Sequence, residues 1–421
     1  MSRQQQPIRV GVVGVSRGQR HGRSAGAEVG MELVALCDTW QDRLAQLGRE
    51  LNVATYTDYD QFLAHDLDAV ILANYFHQHA PFAIKALDAG KHVLSETSAC
   101  FTLAEGVALI EAVERSGCTY MFAENYPYMR FNQEMHRLYQ EGVIGEFKYG
   151  EGEYVHPMSA ASRNRLAPGV DHWRNWIPAT YYCTHSLAPI MYITNTWPIK
   201  VNGFVVASDE DDAQWRRSAR RNDIASVIVV RMNNGAVTKL LDGQLRGHGN
   251  WVRIHGNRGL LENLRVGDRQ MVRRRHEPFD TETGDLDERT YLPGFPEYQD
   301  AALRTGHSGG DFFMNYHFAQ AIRTGEPPFL DVYRGVAMSI VGILAYRSAL
   351  SDGTPVDVPD FRRPETRASY ATDHWCPDPT RRKAGDPWPS IQGDLKPSAE
   401  GMTYARQVWA DMGYAGDKSQ P

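Results

Sequence analysis

The chain has 421 residues, 42% of them apolar and 23% charged, with a formal net charge of −6 at pH 7. That length exceeds one ordinary hydrophobic core and predicts two domains with appendages, and the acidic balance excludes the basic footprint of a nucleic-acid binder. No apolar run approaches a membrane span, and Met1 to Pro7 lacks a signal-peptide core, so a cytoplasmic protein without membrane partners is expected. Cys37, Cys100, Cys118, Cys183 and Cys376 are odd in number and far apart, which argues against a disulfide framework and a clustered zinc site. The basic runs Arg216-Arg217, Arg220-Arg221 and Arg273-Arg274-Arg275 lie among Asp and Glu and read as solvated strand or loop.

Ile8 to Val13 is an apolar run long enough for one buried strand, and it leads into Gly14, Ser16, Arg17 and Gly18. A helix starting directly afterwards would present free N–H groups and a partial positive charge, a seat for a pyrophosphate. The pattern departs from G-x-G-x-x-G: Ser16 replaces the second glycine, with one residue fewer before Gly18, so by itself it also fits an unliganded turn. Asp38 tips the reading. It closes the apolar run Leu33 to Cys37, twenty residues after Gly18, where a carboxylate would receive the ribose hydroxyls and repel a 2′-phosphate. NAD is therefore expected over NADP, with Arg43 within reach and Asp38 also suited to cap a helix.

From Ile8 to about Phe122 strands and helices alternate. Asp68 to Leu72, His92 to Leu94 and Thr119 to Phe122 read as strands, Pro81 to Ala89 as a helix, and Thr102-Leu103-Ala104-Glu105 as a capping box opening a helix to Ser116. This is the grammar of a doubly wound parallel sheet, with ligands beyond the strands' carboxyl ends. There stand Asn74 to His79; His77 and His79 lack a third ligand for zinc, and His79 reads as a helix cap.

After Glu124 strands follow strands. Phe147 to Val155, Val201 to Val206, Ala225 to Arg231, Ala236 to Leu241 and Trp251 to His255 predict an α+β domain with an open, mostly antiparallel sheet. Helices are expected from Phe131 to Glu141, over Leu187 to Ile193, from Asp311 to Arg323 and from Val332 to Leu350. Between His156 and Thr180 runs a long polar and aromatic loop. Trp173 and Arg174 in that loop suit a sugar or a buried seam equally, and His307 with Asp311 suits substrate contact or capping. The expected divisions are 1–125 for the dinucleotide, 126–358 for the substrate, and 359–421 as a Pro-rich extension wrapping the surface or a partner.

The glycine turn, the run Ala86-Leu87-Asp88-Ala89-Gly90-Lys91-His92-Val93-Leu94-Ser95-Glu96 and the hairpin Ile254-His255-Gly256-Asn257-Arg258-Gly259-Leu260-Leu261-Glu262 together resemble the Gfo/Idh/MocA family of nicotinamide-dependent sugar oxidoreductases, over about residues 7–360. The resemblance implies a Rossmann domain, a sheet domain that builds dimers or tetramers, and cofactor contacts at Asn74, His79, Glu96, Thr97 and Asn125. Two signatures differ. The family's Glu-Lys-Pro is Glu96-Thr97-Ser98, and threonine cannot supply an ammonium to a developing alkoxide; Tyr181 holds the aspartate position of the Asp-x-x-x-His pair ending at His185.

The segments Ala123-Glu124-Asn125-Tyr126, Tyr154, Tyr182-Cys183-Thr184-His185-Ser186-Leu187-Ala188-Pro189 and Gly306-His307-Ser308-Gly309-Gly310-Asp311-Phe312 resemble the NAD-dependent α-N-acetylgalactosaminidase subgroup, which also lacks that lysine. Cys183 and Ser186 stand where the subgroup has proline and glycine. The resemblance implies oxidation of a sugar at C3, elimination of the anomeric group, addition of water and return of the hydride, with Glu124, Tyr154, Tyr182 and His185 facing the sugar. From the residues alone, Tyr182 and His185 are three apart and would share one face of a helix start. An unperturbed imidazole titrates near neutrality, whereas a phenol needs a neighbouring cation to take a proton there. Release of the 3-keto sugar in place of cleavage, a simple sugar or polyol dehydrogenase, and a non-catalytic dinucleotide sensor remain as alternatives.

Overall fold

A computed structural model describes residues 6–18, 21, 28–247 and 249–414. The chain divides into two compact units. The first comprises Met1–Glu134, Pro293–Ala337 and Phe361–Thr372, and the second Met135–Leu292, Met338–Asp360 and Asp373–Pro421. The units are thus discontinuous, where the sequence suggested consecutive segments. The helix Gly310–Thr324, the start of the helix Val332–Ala349 and residues 361–372 of the Pro-rich extension belong to the first unit, and the rest of the second helix to the second.

In the first unit β1 (Ile8–Val13), β2 (Met31–Cys37), β3 (Ala54–Tyr56), β4 (Ala69–Leu72), β5 (His92–Ser95) and β6 (Tyr120–Phe122) form a parallel sheet in the order β3-β2-β1-β4-β5-β6. This is the doubly wound Rossmann order. All four residues of β4 are buried, as a strand covered on both faces requires. The expected capping box forms in part: Thr102 Oγ1 accepts from the Glu105 N–H at 3.1 Å, while the Glu105 carboxylate reaches one residue further back, to the Phe101 N–H at 2.8 Å. It opens the helix Leu103–Ser116. The helix expected to begin right after the glycine turn falls on residues outside those described.

The second unit is a nine-stranded sheet. Its strands are β7 (Phe147–Val155), β8 (Pro198–Val206), β9 (Ala225–Met232), β10 (Val237–Gly243), β11 (Gly249–Gly256), β12 (Leu260–Asn263), β13 (Val272–His276), β14 (Asp287–Tyr291) and β15 (Val356–Asp357). The order is β14-β13-β12-β11-β7-β10-β9-β8-β15, antiparallel except for the pair β7 and β10. The helix Thr184–Thr194 lies directly on β7. At Gly152 a Cβ would stand 2.2 Å from the Ser186 carbonyl oxygen, so only glycine lets the helix approach so closely.

Two expectations change here. The stretch from His156 to Thr180 is not structureless: it carries the helix Ala160–Leu166 and single helical turns at Trp173–Asn175 and Ala179–Tyr182. The basic runs also part ways. Arg273 and Arg275 sit on β13 paired to Glu262, Glu277 and Glu288, but Arg220 is only 8% exposed, lying over the Trp215 ring at 4.4 Å.

Beyond Thr372 the extension packs on the second unit. Its helix Ala399–Asp411 buries Ala405 and Trp409 against Ala219, and the Trp409 indole N–H donates to the Asn164 carbonyl at 2.9 Å. Trp409→Ala should therefore cost the second unit about 3–5 kcal/mol, the usual loss for a buried tryptophan. Urea unfolding followed by circular dichroism measures it, and an unchanged midpoint would show that this helix is not docked.

Candidate active site

The turn after β1 fits a dinucleotide. Gly14 has φ +97°, and a Cβ there would stand 2.3 Å from the Ala73 carbonyl oxygen; one on Gly18 would meet Val12 at 2.5 Å. These are two of the glycine roles of a pyrophosphate turn, the tight bend and the close packing of the next segment on the strand. Ser16 is exposed beside them. Asp38 accepts from the Val15 N–H at 2.7 Å and the Trp40 N–H at 2.8 Å, which ties the turn to the end of β2. Burial lifts its pKa above the usual carboxylate range against those hydrogen bonds. It does not cap the helix Gln41–Leu51, whose cap position is Trp40, and Arg43 turns away to Gln46 at 2.9 Å. No cation from that helix competes for the carboxylate.

Asn74, beyond β4, keeps both amide atoms buried with no hydrogen-bond partner among the described residues. A buried amide of that kind suits a polar ligand group. His79 departs from its expected capping role: it is the first residue of the helix His79–Asp88, its Nδ1 lies 3.0 Å from the Ser98 carbonyl oxygen and its Nε2 3.3 Å from that of Asn74. Burial lowers its pKa, so the ring is neutral and donates from one nitrogen only. It lies between the two loops that follow β4 and β5 and holds one of them by a hydrogen bond. Thr97 is buried in the second of these loops.

Arg17 is committed to carboxylates. Its Nε donates to Glu96 at 2.7 Å and its terminal nitrogens to Asp311 at 3.0 and 3.3 Å. His21 lies 2.9 Å from Glu96, His307 Nδ1 3.0 Å from Asp311, and the Asn125 amide donates to Asp311 at 2.9 Å. Burial alone would raise both carboxyls, but Arg17 with His21 holds Glu96, and His307 with Arg17 holds Asp311, far below the ordinary range. Asp311 is therefore no helix cap, and His307 serves it directly. Glu124 is fully buried in the same unit and accepts from the Tyr126 N–H at 3.3 Å.

In the second unit Tyr154, Tyr182 and His185 come together as expected. The Tyr154 and His185 rings are 4.6 Å apart, Tyr182 and His185 4.8 Å at 89°, and the two tyrosines 5.6 Å. Tyr182 ends the turn Ala179–Tyr182 and His185 stands in the first turn of the next helix, and across the junction at Cys183 both rings meet Tyr154 on β7. Trp173 stacks on Tyr182 at 6.1 Å, and the Arg174 guanidinium lies 4.2 Å from the Trp173 ring and 5.6 Å from that of Tyr182. Both tyrosines, Trp173 and Arg174 line one pocket of this unit. Sequence reasoning missed two further lining residues, Arg163 and Arg220. Among the described residues no group of His, Cys, Asp and Glu is arranged to hold a metal.

Residues 8–124 match the model of the oxidoreductase family with NAD-binding Rossmann fold, and residues 128–370 that of the glycosyl hydrolase 109 C-terminal domain. The chain is 27% identical over 395 residues to glycosyl hydrolase family 109 protein 1 of Shewanella sp. (strain ANA-3) and 26% identical over 395 residues to an alpha-N-acetylgalactosaminidase of Shewanella oneidensis, each match spanning 85% of both chains. Levoglucosan dehydrogenase, solved with NADH and levoglucosan, shares the fold at a TM-score of 0.72 and 21% identity, over 84% of this chain and 100% of that one. An inositol dehydrogenase homolog from Azotobacter vinelandii with NAD+ does so at 0.70 and 20%, over 85% and 98%. Fold and turn together define an NAD-binding enzyme of the Gfo/Idh/MocA oxidoreductase type. Within that class the chain belongs to glycosyl hydrolase family 109.

Two outcomes test the first unit. Gly14→Ala places a methyl against the Ala73 carbonyl and should abolish NAD retention, read as the absorbance ratio of purified protein. Because the pKa values of Glu96 and Asp311 are depressed, their stabilisation is full above the unfolded carboxylate pKa of about 4 and drains as pH falls below it. Acid unfolding of Glu96→Gln should accordingly show a shallower loss of stability below about pH 4 than the parent; identical curves would remove the argument.

Proposed function

We propose that this enzyme cleaves a glycoside by transient oxidation of its sugar at C3. The observation that carries the reading is the Tyr154, Tyr182 and His185 cluster, with ring centroids within 5.6 Å of one another, in a chain whose lysine position is Thr97. When bound, NAD supplies the acceptor for the C3 hydride and afterwards returns it. His185 takes the C3 hydroxyl proton as the carbonyl forms. The ketone acidifies the proton at C2, and a phenol of the cluster removes it, expelling the anomeric group; water then adds.

A phenol is a poor base at neutral pH unless a cation stands near. The second unit supplies its own in Arg174, whose guanidinium lies over the Tyr182 ring. Trp173 offers an aromatic face to a sugar ring. Glu124, Asn125, Asn74 and Thr97 are assigned to cofactor and substrate on the family resemblance, supported by the unpartnered amide of Asn74. Residence in the cytoplasm and assembly into a dimer or tetramer belong to the same proposal; among the described residues no helix is long and apolar enough to cross a membrane.

His185→Ala and Tyr182→Phe should each lower turnover of a nitrophenyl glycoside about 10²–10⁴-fold while leaving bound NAD unchanged. In deuterated water the product should carry deuterium at C2. Steady NADH release from a free sugar would instead make the protein a simple dehydrogenase, and NAD binding without turnover a sensor.

A further inference from the structure

The pocket beside the tyrosine cluster holds more positive charge than its walls neutralise. Arg163 is 6% exposed and lines both this pocket and the cavity adjoining it. Its guanidinium donates to the Arg174 carbonyl oxygen, its Nε is buried without a partner, and no carboxylate among the described residues pairs with it. Guanidinium carries five N–H donors and stays protonated in proteins, so most of this group's hydrogen-bonding capacity and all of its charge remain unspent. Burial, then the nearby Arg220 and Arg174, push its pKa well down, and burial takes that of Arg220 to about 9.

Asp223 and Asp242 line this pocket, and Asp209, Asp211 and Asp212 line the adjoining cavity, where the charges of Asp223 and Asp212 act on Arg220 and none pairs with Arg163. Asp242 accepts from the Ser186 hydroxyl at 2.9 Å. Asp223 accepts at one oxygen from the Ser390 hydroxyl at 2.7 Å and at the other from the Ile391 N–H at 3.0 Å, and Arg220 reaches only its backbone carbonyl, at 2.9 Å. Burial raises the pKa of Asp223 against the hydrogen bonds from Ser390 and Ile391 and the charge of Arg220. Arg220 is held at all three nitrogens, by Asn222, Gln244 and the Asp223 carbonyl, with Asp223 and Asp212 acting on its charge, so Arg163 is the buried guanidinium of this pocket left without a carboxylate. A buried guanidinium without an anion is costly, and a bidentate oxyanion relieves that cost.

We propose that the sugar taken by this enzyme carries an oxyanion substituent, a carboxylate or a sulfate ester, held by Arg163 with Arg220 beside it. This rests on the cluster being the sugar site, and it adds the class of sugar. Ser390 and Ile391, by occupying Asp223, make the C-terminal extension part of the subsite.

The test uses the full chain with its bound NAD and matched nitrophenyl glycosides, in both anomers: glucuronide against glucoside, galacturonide against galactoside, 6-sulfated against unsulfated N-acetylglucosaminide. The expected result is a kcat/KM at least about tenfold higher for the anionic member of one pair. Whether the uronide or the sulfated pair shows it identifies the oxyanion. Arg163→Met should collapse that ratio to one or below while NAD content and melting temperature hold, and Arg163→Lys, which keeps the charge but loses the fork, should leave it intermediate. Equal or better turnover of the neutral members, or a loss in Arg163→Met that falls on both members alike, overturns the inference and leaves the glycosidase reading standing. If no glycoside is turned over, that reading fails, and calorimetric titration decides this one separately. Glucuronate or glucosamine 6-sulfate binding that glucose does not match, and that Arg163→Met removes, supports it; no preference overturns it. Should Arg163→Met fail to fold, the parent's own ratio decides.

Discussion

The Arg17 guanidinium stands between Glu96 and Asp311, carboxylates 79 and 294 residues away along the chain. Two buried carboxylates without it would repel each other and could not both ionise, so the cation decides whether these segments come together at all. It joins the glycine turn after β1, the loop after β5 and the helix Gly310–Thr324 into one wall. Thr97 follows Glu96 directly, so the position that carries the family's lysine is anchored by a neighbour whose charge is already spent on Arg17 and His21. The first unit binds its cofactor on a frame of ion pairs and leaves no ammonium at that position for proton chemistry.

Most of the fold was legible because its elements follow local rules. The buried run of β4, the Thr102 and Glu105 box and the alternation along β7 each carry their signal within a few residues, and each formed where expected. Tyr182 and His185 were legible for the same reason, a spacing of three, although the structure realises it across two helical segments. Asp38 was singled out by its distance from the turn, but its hydrogen bonds from the Val15 and Trp40 N–H groups were not legible, since a carboxylate at that position serves capping equally well on paper.

Arg163 and Arg220 escaped because nothing local marks them. One lies on a helix of seven residues in a stretch that reads as loop, the other in a run of arginines interspersed with acids. Their burial is decided far away: Trp409 bonds to Asn164, the neighbour of Arg163, and Ser390 and Ile391 bond the Asp223 carboxylate, whose charge acts on Arg220. Composition reads the C-terminal segment as a wrap over the surface or a partner; its helix Ala399–Asp411 buries Ala405 and Trp409 in a small cluster with Ala219 of the second unit.

The discontinuity of the first unit has a bearing on biosynthesis. The backbone N–H of Phe122, on β6 at the margin of the parallel sheet, is satisfied by the carbonyl of Leu330, and Arg17 obtains its second carboxylate only from residue 311. Ribosomes add about 5–20 residues per second, so the first 134 residues are out for on the order of ten seconds or more before either partner exists. Throughout that interval the nascent sheet shows an unpaired margin, the hazard that chaperones are there to shield. Translation speed between the two halves of this unit therefore sets how long that margin stands open.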